Sequence, residues 1–491
     1  LSFLFSFLLL NFLQLCVAII LSGGVAMSIL ANPFSRMGKN HRHNVQTLKS
    51  QPLAELSGSL GDLGTLLPLM TALVVTNSIS LPSTLLFTGA ANVFTGLAFG
   101  IPLPVQPMKA IAAVAIARKF TMEENAAAGL VVAVLVGIFS ITGLINWANR
   151  VTPIPVVKGI QVGAGLSLCL SAGTTMLKPL EWTGPWWGDN LLWAIAAVVL
   201  LLVTFVYPKL PYALIVFAIG LIFSALGPAS SNPVEPSTSI PVLHPSARDF
   251  WYATSTASLG QLPLTILNSV IAASALASDL LPSPRYPSAP SVTSLGLSVA
   301  VINVVGCWFG AMPACHGSGG LAGQYRFGAR SGSSIIFLGL VKFLLGILAF
   351  WKGDYIVALL AGIPKSLLGV LVLAAGVELA KVGESVNTDA RDLREQNGDL
   401  PWDGKTVRDL DERDRKERFM VMLVTVAVIL AFKNDGVGFI TGLVWYWGFQ
   451  GARKLEAWRE ERAGLPFWRH TEHTRPELTR LIAQEESDTV A

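Results

Sequence analysis

Two short segments, Gly100-Ile-Pro-Leu-Pro-Val-Gln-Pro-Met-Lys109 and Gly310-Ala-Met-Pro-Ala-Cys-His-Gly-Ser-Gly-Gly320, hold most of the residues able to meet a ligand. Pro102, Pro104 and Pro107 keep the backbone extended, and Pro107 suits the first position of a helix. Gly317, Gly319 and Gly320 allow close backbone approach and leave N–H groups bare. Each segment therefore reads as the start of a short helix. Two such starts facing one another offer unsatisfied donors and partial positive charge, a site that prefers an anion. Lys109 adds a full charge. Gln106, His316 and Ser318 add neutral donors, suited to an anion that must be released again. Pro107, Met108, Cys315, Gly317, Gly319 and Gly320 complete the candidate contacts. Asp62 and Gln261 join the set as polar residues inside apolar stretches, where ionisable side chains are costly. Lys109 is expected either to meet the ligand or to pair with a carboxylate such as Asp62.

The chain has no GxSxG, P-loop or HExxH pattern, so neither an enzyme nor an ATP-driven pump is expected. Cys16, Cys169, Cys307 and Cys315 lack CxxC spacing, so no disulfide or zinc site is expected. His41, His43, His470 and His473 lie in polar stretches and read as solvated.

The elements that must position these residues are apolar. Of 491 residues 52% are hydrophobic and 13% charged, against roughly 25% charged in soluble domains. Residues 50–380 hold 25 of the 66 charges, whereas 381–418 alone holds 20. That pattern implies a polytopic membrane domain with charged appendages. The net charge of +4, without a basic patch, argues against a nucleic-acid partner.

From residue 54, apolar stretches fall near 56–78, 82–100, 106–118, 125–148, 155–176, 189–206 and 211–226, then 259–281, 291–310, 316–328, 333–361, 364–381, 418–432 and 434–450. The second group of seven echoes the first. Ser59-Leu-Gly-Asp-Leu63 recurs as Ser258-Leu-Gly-Gln-Leu262, Asn92…Phe99-Gly100 as Asn303…Phe309-Gly310, and Ile154-Pro155 as Ile363-Pro364. A repeat with an odd number of spans enters the membrane the second time upside down. The expected fold is therefore all-α and polytopic, about 14 spans in a seven-plus-seven inverted repeat, with the two half-helices meeting at mid-membrane. The expected divisions are an N-terminal segment 1–53, a first repeat 54–227, a linker 228–249, a second repeat 250–450 containing the charged loop 381–418, and a charged tail 451–491. Residues 1–30 are apolar enough to span a bilayer; they are either an extra helix or lie upstream of a start at Met27 or Met37. With the N-terminus cytosolic, inner loops and tails collect 26 of the 35 Lys and Arg, as the positive-inside bias requires.

The stretches Leu53–Thr65, Pro104–Ile116, Gln261–Ser269 and Cys315–Arg330 resemble the eukaryotic molybdate transporter family, a divergent branch of the sulfate permease superfamily. The likeness covers roughly residues 52–450. It implies molybdate transport by a core and a gate domain, without the C-terminal regulatory domain of typical sulfate permeases. The expected partners are the molybdate anion and the lipid bilayer, with a homodimer as the assembly considered and the plasma membrane or an internal membrane as the location. No cofactor is expected. A proton is the coupling ion considered, handled by Asp62 with Lys109. A sulfate or other oxyanion transporter and an anion channel are the alternatives.

Overall fold

The computed structural model describes residues 33–207, 209–227, 239–388, 390–393 and 410–462. The apolar segment 1–30 lies outside the described residues, as do residues 228–238 of the linker 228–249, the middle of the loop 381–418 and the tail beyond 462. Among the described residues, eight helices are long and apolar enough to cross a membrane: Pro52–Val75, Leu81–Phe99, Met122–Ile141, Ile154–Leu177, Ala247–Leu280, Val292–Phe309, Ser333–Ala361 and Lys365–Asn387. Leu191–Val206 and Tyr212–Leu226 are shorter apolar helices. Together with Lys109–Arg118, Ser318–Arg326, Glu412–Phe432 and Asp435–Arg462 they follow the expected stretches in order.

Some boundaries differ. The stretch 125–148 is cut where Gly143, at φ 78°, separates Met122–Ile141 from Leu144–Val151. The helix expected over 259–281 begins at Ala247 and carries wide π turns at Thr254–Ser258 and Thr265–Ala272. Charged residues do not stop the last helices: Glu412–Phe432 begins within the loop 381–418, and Asp435–Arg462 runs into the tail 451–491.

Two three-residue strands stand at the heart of the fold. Val105–Pro107 (β1) pairs antiparallel with Ala314–His316 (β2), with Val105 opposite His316, Gln106 opposite Cys315 and Pro107 opposite Ala314. Each strand leads straight into a half-helix, Lys109–Arg118 or Ser318–Arg326. The matching helix ends before them close on Gly100 and Gly310, at φ 69° and 73°, a left-handed cap that glycine adopts without strain. Buried backbone needs partners at this depth, and matching asparagines supply them. Val105 N–H donates to Asn92 Oδ1 at 2.8 Å, and Ala314 N–H to Asn303 Oδ1 at 2.7 Å.

The two halves exchange packing partners. Leu81–Phe99 runs along Ser333–Ala361, and Val292–Gly306 along Met122–Ile141, so the second span of each half lies on the fourth span of the other. Pro52–Ser59 meets the half-helix Ser318–Arg326, while Leu259–Leu264 meets Lys109–Arg118. This reciprocity is what a two-fold axis between inverted halves produces. Small residues permit the close crossings: a Cβ on Gly96 would stand 2.6 Å from Gly332 O, and one on Gly339 the same distance from Gly89 O.

Candidate functional site

The first long helix breaks at Leu60-Gly61-Asp62, between Pro52–Ser59 and Leu63–Val75. Gly61 lies so close to the second half-helix that an added Cβ would stand 2.5 Å from Gly323 O. That contact buries Asp62, which is 2% exposed. Its Oδ1 accepts from Thr65 Oγ1 at 2.7 Å and from Gln106 Nε2, while Oδ2 has no partner among the described residues. Gln106 in turn fills the space in front of Gly317 and Gly320, where any Cβ would collide with its side-chain amide. Asp62 thus orients Gln106 rather than pairing with Lys109.

Gln261, the counterpart of Asp62, takes a different part. Its Oε1 accepts the N–H of Ala110 at 2.8 Å and of Ile111 at 3.4 Å, and its Nε2 donates to Thr265 Oγ1 at 2.9 Å. It therefore satisfies two of the orphan donors that begin the first half-helix. Lys109, half-buried at the helix start, pairs with no carboxylate among the described residues.

At the second half-helix, Gly320 and Leu321 donate back to Gly317 O, each at 3.1 Å. Ser318 Oγ donates to Asn268 Oδ1. Among the described residues the Ser318 and Gly319 amides have no protein acceptor, so they remain the free donors of that helix end.

The other candidates point elsewhere. Alternation along β2 turns His316 away from Cys315. Its Nε2 lies 2.9 Å from Ser298 Oγ, and its ring stands edge-on to Phe99 with centroids 6.1 Å apart. His316 therefore faces helices Leu81–Phe99 and Val292–Gly306, against the expectation that it donates to a ligand. Met108 is buried in the apolar core, its N–H donating to Pro313 O at 2.9 Å. Pro107 and Cys315 are held in the ladder.

A cavity of about 360 Å³ reaches this region, lined by Thr65, Lys109, Ser167, Ser171, Asn268 and Asp435 among apolar residues. A second, of about 310 Å³, shares Pro68, Thr175 and Met176 with it and extends to Lys365. At the opposite end of Ile154–Ser171, Lys158 Nζ meets Asp279 at 2.7 Å and Ser385 Oγ at 2.9 Å. Gln161 Nε2 donates to Ala272 O at 3.0 Å beside them. The space left there is about 10 Å³, too small to pass an anion.

Asn268, Thr65 and Asp435 were not among the residues expected from sequence. Asn268 lies within the Gln261–Ser269 stretch, two turns beyond Gln261, so helical periodicity could have pointed to it. Asp435 carried one weak signal, a lone carboxylate between two apolar runs. Lys342 is 4% exposed in Ser333–Ala361 with no partner for its ammonium among the described residues.

The chain is similar to known proteins over most of its length. The family described as "Molybdate transporter of MFS superfamily" matches residues 54–168 and 253–379. Molybdate transporter 2 of Arabidopsis thaliana is 36% identical over 441 residues, covering 81% of this chain and 88% of that protein. Molybdate transporter 1 of the same plant is 35% identical, covering 72% of this chain and 84% of that protein. Molybdate transporter 1 of Chlamydomonas reinhardtii is 31% identical, covering 80% and 90%. Among solved structures, SLC26A9 aligns at a TM-score of 0.50 and 14% identity, over 81% of this chain and 65% of that one. Murine Slc26a9 in the inward-facing state also aligns at 0.50 and 14% identity, over 84% and 71%. Both likenesses concern the fold, a seven-plus-seven inverted repeat.

Proposed function

The chain belongs to the molybdate transporter family, and from that premise we propose that it carries molybdate across a membrane as a secondary transporter. As a member of that family it is an integral, multi-pass membrane protein. The observation that supports the site is the pairing of two half-helix starts, with Lys109 at the first of them lining a cavity. Each helix end presents about half an elementary charge, so with Lys109 the site offers about +2. That matches a tetrahedral dianion. The free amides of Ser318 and Gly319 and the side-chain amide of Asn268 supply neutral hydrogen bonds around it, while the Ser318 and Thr65 hydroxyls donate to Asn268 Oδ1 and Asp62 Oδ1 and hold the wall. Gln106, oriented by Asp62, shapes the wall, and Gln261 holds the first half-helix in place. Pro107, Met108, Cys315, Gly317 and Gly320 set the backbone, and His316 supports the ladder from behind.

The closed end at Lys158 and Asp279 favours a carrier over a channel, because the cavity stops there. Transport then requires the half-helices and their neighbours to move as a body against the helices that carry Lys158, Ser167 and Val372. Uptake of radiolabelled molybdate into proteoliposomes, with sulfate as competitor, tests the proposal. Saturable uptake with counterflow supports it. Comparable inhibition by equimolar sulfate contradicts molybdate as the preferred anion, and large unitary currents contradict a carrier.

A further inference from the structure

We propose that Asp435 couples anion binding to protonation, taking up one proton when a dianion occupies the cavity and losing it when the dianion leaves. The inference rests on the transport reading above and adds the residue that links the anion to the proton.

Asp435 opens the last helix, Asp435–Arg462, after a turn in which Lys433 adopts φ 51°. Asn434 caps that helix: its Oδ1 accepts the N–H groups of Gly436 at 2.9 Å and Val437 at 3.2 Å. The Asp435 carboxylate is therefore released from the capping role an acid commonly has at a helix start. The turn sits against the middle of Ala247–Leu280, since a Cβ on Gly436 would stand 3.2 Å from Pro263 Cβ, two residues beyond Gln261. Asp435 and Lys109 line the same cavity, and Asp435 Oδ2 is buried without a partner among the described residues.

A carboxylate held in the same confined space as a dianion raises the free energy of both unless it is neutralised. Protonation of Asp435 Oδ2 removes that repulsion and satisfies the orphaned oxygen as a hydroxyl; the proton comes from solvent through the cavity. Among the described residues that line the cavity, Asp435 is the acid. Lys109 is the cation in the cavity lining. Asp62 lies behind Thr65, outside the cavity lining; Thr65 and Gln106 engage its Oδ1, and its Oδ2 is also unpartnered among the described residues. His316 is turned to Ser298, and the lining from Ile154–Ser171 and Lys365–Lys381 presents Ser167, Ser171 and Val372, none ionisable. Lys433 is exposed beside the turn.

The test is equilibrium binding of radiolabelled molybdate to the full-length protein in detergent, from about pH 6 to pH 8. Labelled sulfate is run in parallel, and wild type is compared with Asp435→Asn, Asp435→Ser and Asp62→Asn. Wild-type affinity should fall as pH rises, approaching about tenfold per pH unit above the titration of Asp435. Asp435→Asn should bind with no slope and about tenfold or more tighter than wild type at the upper pH. Asp435→Ser gives a second reading of the same lost slope, and Asp62→Asn should keep it. In weak buffer, adding molybdate should draw about one proton per anion from solution in wild type and none in Asp435→Asn. A wild-type slope in the Asp435 variants, or a slope lost only in Asp62→Asn, overturns the proposal, as does pH-independent binding by wild type. If wild type binds neither molybdate nor sulfate at any pH, the transport reading itself fails.

Discussion

Lys158 and Asp279 join the Ile154–Ser171 helix to the Ala247–Leu280 helix through a 2.7 Å ion pair, with side chains only 3% and 13% exposed. The two helices belong to opposite halves of the repeat, and both residues fall at the end that the Lys and Arg distribution assigns to the cytosol. The pair therefore holds the cavity shut on that side while the space near Lys365 continues toward the other.

Removing one partner of a buried pair leaves the other uncompensated, at a cost of about 3–5 kcal/mol. That penalty applies only to the state in which the pair is closed. Lys158→Gln should therefore raise labelling of a cysteine placed at Ala275, which lines the small space beside the pair, by a cytosolic-side thiol reagent, and the double exchange Lys158→Asp with Asp279→Lys should lower it again. Unchanged labelling in Lys158→Gln would show that the pair does not gate access.

Gly317 and Gly320 leave room for the Gln106 side chain, which any Cβ there would strike. Gly320→Ala should cut molybdate uptake by about tenfold or more, a loss of about 1.4 kcal/mol, with the protein still inserted in the membrane. Gln106→Ser in the same chain should restore part of the rate. Full uptake by Gly320→Ala alone would mean that Gln106 moves aside freely and does not shape the site.

Asn303 satisfies both backbone groups of Ala314, the carbonyl at 2.5 Å and the amide at 2.7 Å, whereas Asn92 serves the Val105 amide. Buried backbone groups left unpaired cost about 1–3 kcal/mol each. Asn303→Ala should lower the unfolding temperature of the detergent-solubilised protein more than Asn92→Ala does. An equal or reversed order would show that water enters the ladder.

His43 lies outside the membrane helices, in Pro33–Ser50, with its ring 3.4 Å from Arg330 O and edge-on to Tyr286. Burial holds its pKa below the ordinary imidazole value, opposed in part by the Arg330 carbonyl. A base depressed on folding contributes stability above its unfolded pKa, about 6.5, and loses it as pH falls through the folded one. Wild type should therefore lose more thermal stability than His43→Gln between about pH 7.5 and pH 5. Equal losses would place the acid sensitivity elsewhere.

The half-helices were legible because proline and glycine leave local marks: Pro102 to Pro107 and Gly317 to Gly320 break apolar runs where a continuous helix is otherwise expected. The inverted repeat was legible for a similar reason, since Asn92 and Asn303 recur at nearly the same distance, eight and seven residues, before their glycine caps. The directions of side chains were not. His316 was expected to face a ligand, and a three-residue ladder too short to show in any periodicity turns it to Ser298. Gln261 reads as a neutral substitute for Asp62, yet it caps a helix start 151 positions away in sequence. Asp435 enters the cavity through a turn whose position depends on contact with Pro263, which nothing local to residue 435 encodes.

The placement of the anion is tested most directly by a structure of the protein with molybdate bound, located by the anomalous signal of molybdenum. The metal peak is expected between the starts of Lys109–Arg118 and Ser318–Arg326, with anion oxygens within hydrogen-bond reach of Lys109 Nζ and the amides of Ser318 and Gly319. A peak elsewhere in the membrane domain, with those amides bonded to protein, would contradict the site.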